Sequence, residues 1–83
     1  MAGFNTEIDH QGQPYHVQTQ DKGTGAGYIE SIVYKAGRAL SSRKTFYTSF
    51  MGSPDLQEKI QKIVEDQHNS ILKEISAGKF DHL

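Results

Sequence analysis

Residues 4–20 read FNTEIDHQGQPYHVQTQ, and the alternation within this stretch decides the fold. Two runs alternate apolar or threonine side chains with polar ones, one run on each side of Gln11-Gly12. A two-residue turn at Gln11-Gly12 places Ile8 opposite Tyr15, and the same register gathers the apolar side chains on one face. Because one register makes both faces consistent, we predict an antiparallel β-hairpin.

A second hairpin is predicted over residues 28–47, with Ala36-Gly37 at its turn. Its simplest register places Glu30 opposite Arg43. The expected faces carry Ile29, Val33, Leu40 and Phe46 on one side and Tyr28, Ile32, Tyr34, Ala39 and Tyr47 on the other. A sheet face that is open to water normally alternates cleanly with polar residues, so we expect something to cover the second face.

Residues 54–77 are predicted to form one amphipathic helix. Ser53 is a favourable N-cap, Pro54 suits the first helical position, and Gly78 is the expected stop. At 100° per residue, one face gathers the apolar side chains Leu56, Ile60, Ile63, Val64, Ile71 and Ile75. A polar segment, residues 65–70, interrupts this stripe. At a rise of about 1.5 Å per residue the helix is longer than strands of about eight residues, so we expect it to bend near this segment or to extend beyond the sheet.

The element order is therefore ββββα, an α+β fold in which a four-stranded antiparallel sheet from two hairpins packs against one long C-terminal helix. We expect residues 1–83 to form a single small domain, with the sheet over 4–47, the helix over 54–77 and a tail over 79–83. The predicted core consists of Phe4, Ile8, Tyr15, Val17, Ile60, Ile63, Val64, Ile71 and Ile75.

Length and composition exclude several classes of protein. The chain has 83 residues, which is enough for one thin hydrophobic core. Charged residues make up 23% of it, and no apolar run approaches the roughly 20 residues of a membrane-spanning helix. The absence of cysteine excludes disulfides and thiolate metal sites, and the first residues lack the pattern of a secretory signal. We therefore expect a soluble cytoplasmic protein.

The sequence assigns no catalytic or cofactor-binding residue. The glycine run at residues 23–27 has the composition of a phosphate loop, but it lacks a Gly-Lys-Ser/Thr motif and precedes a strand. The four histidines show no metal-ligand spacing. Glu7 opposite His16 can be read as the start of a metal site or as a cross-strand polar pair, and we favour the polar pair. We expect no enzymatic activity, no cofactor and no metal.

The apolar second face of the second hairpin and the long helix both indicate an interaction surface. A second copy of the chain would cover both in a closed two-fold dimer. The alternative is a monomer whose tail, residues 79–83, folds back over the gap. We favour a homodimer that, together with an unidentified protein, joins or regulates a larger assembly. The predicted contact residues are Tyr28, Ile32, Tyr34 and Leu72.

A second interpretation of the central segment is weak binding of single-stranded nucleic acid. Residues 28–53 carry four cations against one acid, although the net charge of the chain is −1. Such surfaces stack aromatic rings on bases and track the phosphates with cations. We expect Arg38 and Lys44 on one face and Arg43, paired with Glu30, on the other. The candidate residues are Lys35, Arg38, Lys44, Phe46 and Tyr47.

The motifs Phe4-Asn5-Thr6-Glu7 and Tyr15–Asp21 resemble the start of small uncharacterised bacterial proteins, which open with F-N-T-E and continue with an H-V-Q-T-E-D-like strand. Residues 44–47 are similar to their K-T-x-Y strand, and residues 65–68 to their E-Q-H helix segment with Asp66 inserted. The resemblance implies a bacterial origin and carries no activity to this chain. The ββββα order is also similar to that of single-strand-DNA-binding transcriptional coactivators, in topology alone.

Overall fold

The computed structural model describes residues 3–83, so residues 1 and 2 of the expected domain lie outside the described residues. The strands are β1 (Gly3–His10), β2 (Gln13–Asp21), β3 (Tyr28–Lys35) and β4 (Arg38–Phe46), and the helix α1 spans Leu56–Ser76. A short 3-10 turn, Thr48–Phe50, precedes the helix. The strands form one antiparallel sheet in the order β1-β2-β3-β4, which confirms the predicted ββββα fold.

Both hairpins turn at the two residues that the sequence predicts. In each hairpin the turn residues, Gln11-Gly12 and Ala36-Gly37, join residues that pair directly with each other. All four turn residues have a positive φ, from 50° at Ala36 to 81° at Gly37, as a type I′ turn requires. Glycine adopts this conformation freely, whereas a residue with a Cβ atom adopts it at a cost.

The register of the second hairpin departs from the prediction just beyond its turn. Tyr34 pairs with Ala39, but Val33 pairs with Ser41, which leaves Leu40 as the extra residue of a β-bulge. Side chains alternate between the two faces of a strand, so one extra residue reverses the face of every later residue relative to the simple register.

The bulge corrects three predictions about β4. Lys44, and not Arg43, lies opposite Glu30, so the predicted pairing is wrong. Tyr47 is fully buried beneath the helix, whereas Phe46 lies on the other face with 59% of its surface exposed. The predicted faces of Phe46 and Tyr47 are therefore wrong for the same reason.

Helix α1 runs without interruption through the polar segment at residues 65–70. The N-cap residue of the helix is Asp55, and its first residue is Leu56. The predictions of Ser53 as the N-cap and of a start at residue 54 are therefore wrong. The other end of the helix is the predicted glycine stop. Gly78 has a φ of 82°, and its amide and that of Lys79 close a Schellman motif on the last turn.

The helix lies across one face of the sheet and buries two apolar clusters against it. The turn-end cluster contains Tyr15, Val17, Val33, Ile71, Ile75 and Phe80, and the loop-end cluster contains Ile29, Tyr47, Ile60 and Val64. Of the predicted core residues, Phe4, Ile8 and Ile63 are less buried than expected. The described part of the chain contains no helix with the length and apolarity needed to cross a membrane.

The C-terminal tail packs on the helix side of the sheet. Phe80 is buried in the turn-end cluster. The Asp81 carbonyl oxygen accepts a 3.3 Å hydrogen bond from Lys35 Nζ, and Asp81 Oδ1 lies 3.1 Å from His10 Nε2. The tail therefore does not cover the apolar residues on the opposite face. The monomer alternative required the tail to cover them.

Candidate interaction surface

The face of the sheet that turns away from α1 is called the open face, because no other part of residues 3–83 packs over it. The β1–β2 half of this face carries Asn5, Glu7, Asp9, His16, Gln18 and Gln20. The β3–β4 half carries Tyr28, Glu30, Ile32, Tyr34, Ala39, Ser42, Lys44 and Phe46. One half is thus polar throughout, and the other holds all the large apolar side chains of the face.

Four of these side chains, Tyr28, Ile32, Tyr34 and Phe46, form what we call the apolar strip. The rings of Tyr28 and Phe46 lie 5.1 Å apart between centroids and are tilted by 49°. Tyr34 makes an edge contact with the His16 ring at 5.8 Å. The strip therefore brings together three of the four predicted contact residues, and Phe46 joins them because of the bulge.

The fourth predicted contact residue, Leu72, lies elsewhere. It belongs to α1 and packs, partly buried, against the turn-end cluster. The sheet separates it from the apolar strip, so a partner seated on the open face does not reach Leu72. The structure does not bring this residue into the same surface as Tyr28, Ile32 and Tyr34.

The structure also divides the residues predicted to bind nucleic acid. Lys44 lies on the open face beside the strip, with its Nζ 4.9 Å from the centroid of the Tyr28 ring. Lys35 and Arg38 pair with each other at the opposite end of the hairpin. Lys35 occupies the helix side, since its Nζ lies 5.6 Å from the centroid of the Tyr15 ring. The expectation that Arg38 and Lys44 share a face is wrong, because the bulge lies between them.

Tyr47 cannot stack on a base, because it is fully buried. Its hydroxyl donates a 2.6 Å hydrogen bond to Asp21 Oδ1, which also accepts the Gly23 amide at 2.9 Å. Burial, and then this bond to the carboxylate, raise the pKa of Tyr47 to about 12. The predicted binding role of Tyr47 is wrong, and the residue instead anchors the start of the glycine-rich connector.

Arg43 is engaged on the helix side of the sheet. Its guanidinium donates two hydrogen bonds to the Glu74 carboxylate, of 2.9 and 2.7 Å. These bonds hold the pKa of Glu74 below its ordinary value and raise the pKa of Arg43. Arg43 is therefore paired with Glu74 of α1, and its predicted pairing with Glu30 of β3 is wrong.

A polar layer lies between the two apolar clusters, where the sequence indicates only an interruption of the helix stripe. His68 is 3% exposed, and its Nδ1 and Nε2 atoms each lie 2.8 Å from a hydroxyl, of Thr19 and Thr6 respectively. Thr19 Oγ1 lies 2.7 Å from Ser31 Oγ, which accepts a 2.8 Å hydrogen bond from Gln67 Nε2. Hydroxyls on the strands thus meet the two polar side chains of the helix.

One arrangement of protons satisfies this polar layer. The Gln67 amide donates to Ser31, the Ser31 hydroxyl donates to Thr19, and the Thr19 hydroxyl donates to His68 Nδ1. The Nε2–H group of His68 then donates to Thr6, so the ring is neutral. Burial lowers the pKa of His68, which agrees with a neutral ring. Because Thr19, Ser31 and His68 are buried, the layer holds the helix in register against the sheet.

A shallow depression of about 640 Å³ lies at the turn end of the open face, with Glu7, Asp9, His16 and Tyr34 among its lining residues. The Nε2–H group of His16 donates a 3.1 Å hydrogen bond to Asn5 Oδ1. The ring is thus engaged by Asn5 and Tyr34. Within residues 3–83 no group of three or more side chains is placed to bind a metal ion.

Comparisons with known proteins add nothing to this description. No protein-family model matches the chain, and neither a curated protein nor a solved structure matches it. The resemblances drawn from sequence motifs stay expectations.

Proposed function

We propose that this chain is a non-enzymatic interaction module that forms a homodimer through the apolar strip and acts within a larger bacterial assembly or regulatory complex. The observation that carries the proposal is the strip itself, three aromatic rings and one isoleucine on a face that residues 3–83 leave uncovered. Burying apolar surface stabilises an association by about 25 cal/mol per Å² before the costs of binding, and buried aromatic anchors commonly dominate interface energies.

The polar half of the open face supports this interpretation by contrast. Its β1–β2 side chains alternate as expected for a sheet in contact with water. The departure from this pattern is confined to β3 and β4, in the same sheet and the same environment. Phe46 is exposed and the other three strip residues are half-buried, with the Glu30–Lys44 pair between the two ends of the strip. Large apolar side chains that stay accessible on one face are characteristic of an interaction site.

The strip is also complementary to itself. Across the hairpin, the large residues Tyr34 and Ile32 lie opposite the small residues Ala39 and Ser42. A two-fold axis parallel to the strands, between β3 and β4, stacks β3 of one copy on β4 of the other. Tyr34 and Ile32 of one copy then face Ala39 and Ser42 of the second copy, so large and small side chains interdigitate at this end. At the other end Tyr28 of one copy faces Phe46 of the second copy, and the aromatic rings pack against each other. This is our reason for choosing a second copy as the partner of the strip.

Sedimentation equilibrium tests the proposal with the variants Ile32→Glu and Gln18→Glu. Both substitutions place a carboxylate on the open face, and their positions lie opposite each other on neighbouring strands. We expect Ile32→Glu to weaken the dimer by about 30- to 150-fold, because two interface positions each lose roughly 1–1.5 kcal/mol. Gln18→Glu should leave it within about threefold of the wild type.

Two outcomes would contradict this assignment. One is a wild-type chain that sediments as a 9.3 kDa monomer at about 100 µM. The other is a dimer that both variants weaken equally. Circular dichroism of each variant establishes that the fold is retained before the comparison is made.

A second candidate function is weak binding of single-stranded nucleic acid at the loop end of the strip. It is favoured by the ring of Phe46, which is largely exposed beside Lys44 and Tyr28. Exposed rings and nearby cations are the elements of single-strand recognition. Lys35 and Arg38 lie at the other end of the hairpin, so they would contact only a strand that follows the whole length of β3 and β4.

Fluorescence anisotropy with a labelled oligonucleotide at low salt tests this second function. We expect Lys44→Ala to weaken binding more than Arg38→Ala, and we expect binding to weaken as salt rises. The absence of an anisotropy change at about 100 µM protein would reject it, since non-specific binders typically reach roughly 10⁻⁴–10⁻⁶ M.

A further inference from the structure

We propose that strand β1 pairs edge to edge with β1 of a second copy, at a surface separate from the apolar strip. Strands β1 and β4 are the two edges of the sheet. Each edge strand presents backbone N–H and C=O groups that no neighbouring strand uses, and a further strand can bind them. The two edges differ in how well they are protected against such pairing.

The β4 edge carries features that oppose strand addition. A bulge interrupts it at Leu40, and the strand bears the cations Arg38, Arg43 and Lys44. Bulges and charged side chains on an edge are the usual means of preventing intermolecular pairing. We therefore do not expect β4 to extend the sheet.

The β1 edge is less protected, although it carries the two carboxylates Glu7 and Asp9. Its eight residues pair with β2 without a bulge and include neither proline nor a lysine or arginine. Phe4 lies on this edge with 37% of its surface exposed, although its ring packs 5.4 Å from that of His68. An apolar ring at the margin of the core would be covered by a strand added beside it.

The sequence of β1 selects one self-pairing register. In a two-fold antiparallel pair, opposed residues share a face, so the residue at the centre faces its own copy. A centre at Glu7 would oppose two carboxylates, which is unfavourable. A centre at Thr6 instead pairs Phe4 with Ile8 and Asn5 with Glu7. This register opposes apolar residues to each other and no two like charges.

The resulting dimer is one continuous eight-stranded sheet. The two-fold axis is perpendicular to the sheet, so both helices lie on one side and both open faces lie on the other. Neither apolar strip is covered by this contact, since the strips belong to β3 and β4. The edge contact and the strip contact are therefore compatible, and together they allow the chain to assemble beyond a dimer.

Opposite charge changes at Asn5 test the register. In an Ile32→Glu background, in which the strip contact is weakened, Asn5→Lys places a cation opposite Glu7 of the second copy, and Asn5→Glu places a carboxylate there. Both variants lose the same contact of Asn5 with His16, so they are matched. Cross-strand charge pairs contribute roughly 0.2–1 kcal/mol each. With two such pairs, sedimentation should show a dimer tightened about 2- to 30-fold by Lys and weakened as much by Glu.

Cysteine cross-linking locates the centre independently, because the chain contains no cysteine. Directly opposed strand residues lie close enough for a disulfide. Thr6→Cys should therefore form a disulfide-linked dimer on mild oxidation, and Glu7→Cys should not. Identical sedimentation of the two Asn5 variants, or preferential cross-linking at position 7, would overturn the proposal. If the edge dimer persists in Ile32→Glu and the wild type associates no more strongly than this variant, the strip contact alone is rejected.

Discussion

His68 connects the helix to the sheet through both of its ring nitrogens. Each nitrogen meets a threonine hydroxyl, one on β1 and one on β2. A buried polar group is tolerated when every donor and acceptor is satisfied, and a neutral imidazole meets that condition here. A second proton on the ring would place a positive charge in this buried site.

We predict that the free energy of unfolding falls as the pH drops from about 7.5 to 5. Burial lowers the pKa of His68 in the folded chain below its ordinary value of 6.5. The unfolded chain therefore binds the proton first, so the stability is present above pH 6.5 and is lost below it. Urea midpoints measured across this range check the slope. The corresponding loss from Glu74, whose pKa is also lowered, begins only below its ordinary value of 4.5.

The variants His68→Gln and His82→Gln separate this effect from that of other histidines. His68→Gln should flatten the pH dependence between 7.5 and 5 and lower the stability overall. His82, in the exposed tail, serves as the matched control. Equal slopes in the wild type and His68→Gln would show that the ring does not control the pH response.

We predict that Tyr47→Phe lowers the free energy of unfolding by about 1–3 kcal/mol, because a buried oxygen of Asp21 loses its donor. The same variant should change the response to alkali. The pKa of Tyr47 is raised to about 12 from 10, so the wild type keeps this stability below pH 10 and loses it as the pH rises further. Denaturation between pH 9 and 11 measures both effects, with Tyr34→Phe on the open face as the control.

The hairpin turns and the bulge show which elements can be predicted from sequence. The turns were predictable because each has a glycine at its second position and an alternation that fits one register. The bulge was not, because nothing around Leu40 marks an extra residue. The bulge determines which residues form the candidate site, because it places Phe46 in the apolar strip and Tyr47 in the core.

The polar centre of α1 was foreseeable in part. Read alone, residues 65–70 indicate a break in the apolar stripe. The strand positions that face the helix there, Thr6, Thr19 and Ser31, all carry hydroxyls. Hydroxyls on a face predicted to be apolar were the signal for a complementary polar layer. Pairwise contacts such as the Arg43–Glu74 ion pair depend on the bulged register and could not be predicted.

We predict that Ala36→Asn raises the free energy of unfolding by about 0.5–1 kcal/mol. Ala36 has a φ of 50°, a left-handed conformation that costs an alanine roughly 1–2 kcal/mol. Asn-Gly is the preferred pair for a type I′ turn. Urea denaturation measures the change, and Ala39→Asn on the adjoining strand is the control. A variant no more stable than the wild type would mean that the turn is not strained at Ala36.

The packing of α1 gives a second prediction for an element. Ile60 is 1% exposed in the loop-end cluster, whereas Ile63 is only partly buried beside it. We expect Ile60→Ala to lower the free energy of unfolding by about 2–5 kcal/mol, and Ile63→Ala to lower it by less. Denaturation of the two variants under the same conditions tests the helix rotation, which would be wrong if their order were reversed.

The whole molecule is elongated, with principal extents of 44 × 18 × 18 Å. Within residues 3–83, both apolar clusters and the polar layer lie between α1 and one face of the sheet. The other face carries the apolar strip on its β3–β4 half. Strand β1, which has no bulge, forms the opposite edge of the sheet. This asymmetry between the two faces is the structural basis of the proposed interaction module.

Isotope-filtered NOE spectroscopy tests the strip contact most directly. In an equimolar mixture of carbon-13-labelled and unlabelled chains, only contacts between copies give signals in the filtered spectrum. The account predicts such signals between the methyl groups of Ile32 and Ala39 in one copy and the aromatic rings of Tyr28, Tyr34 or Phe46 in the other. Signals between copies that involve only other surfaces, with none from these side chains, would contradict it.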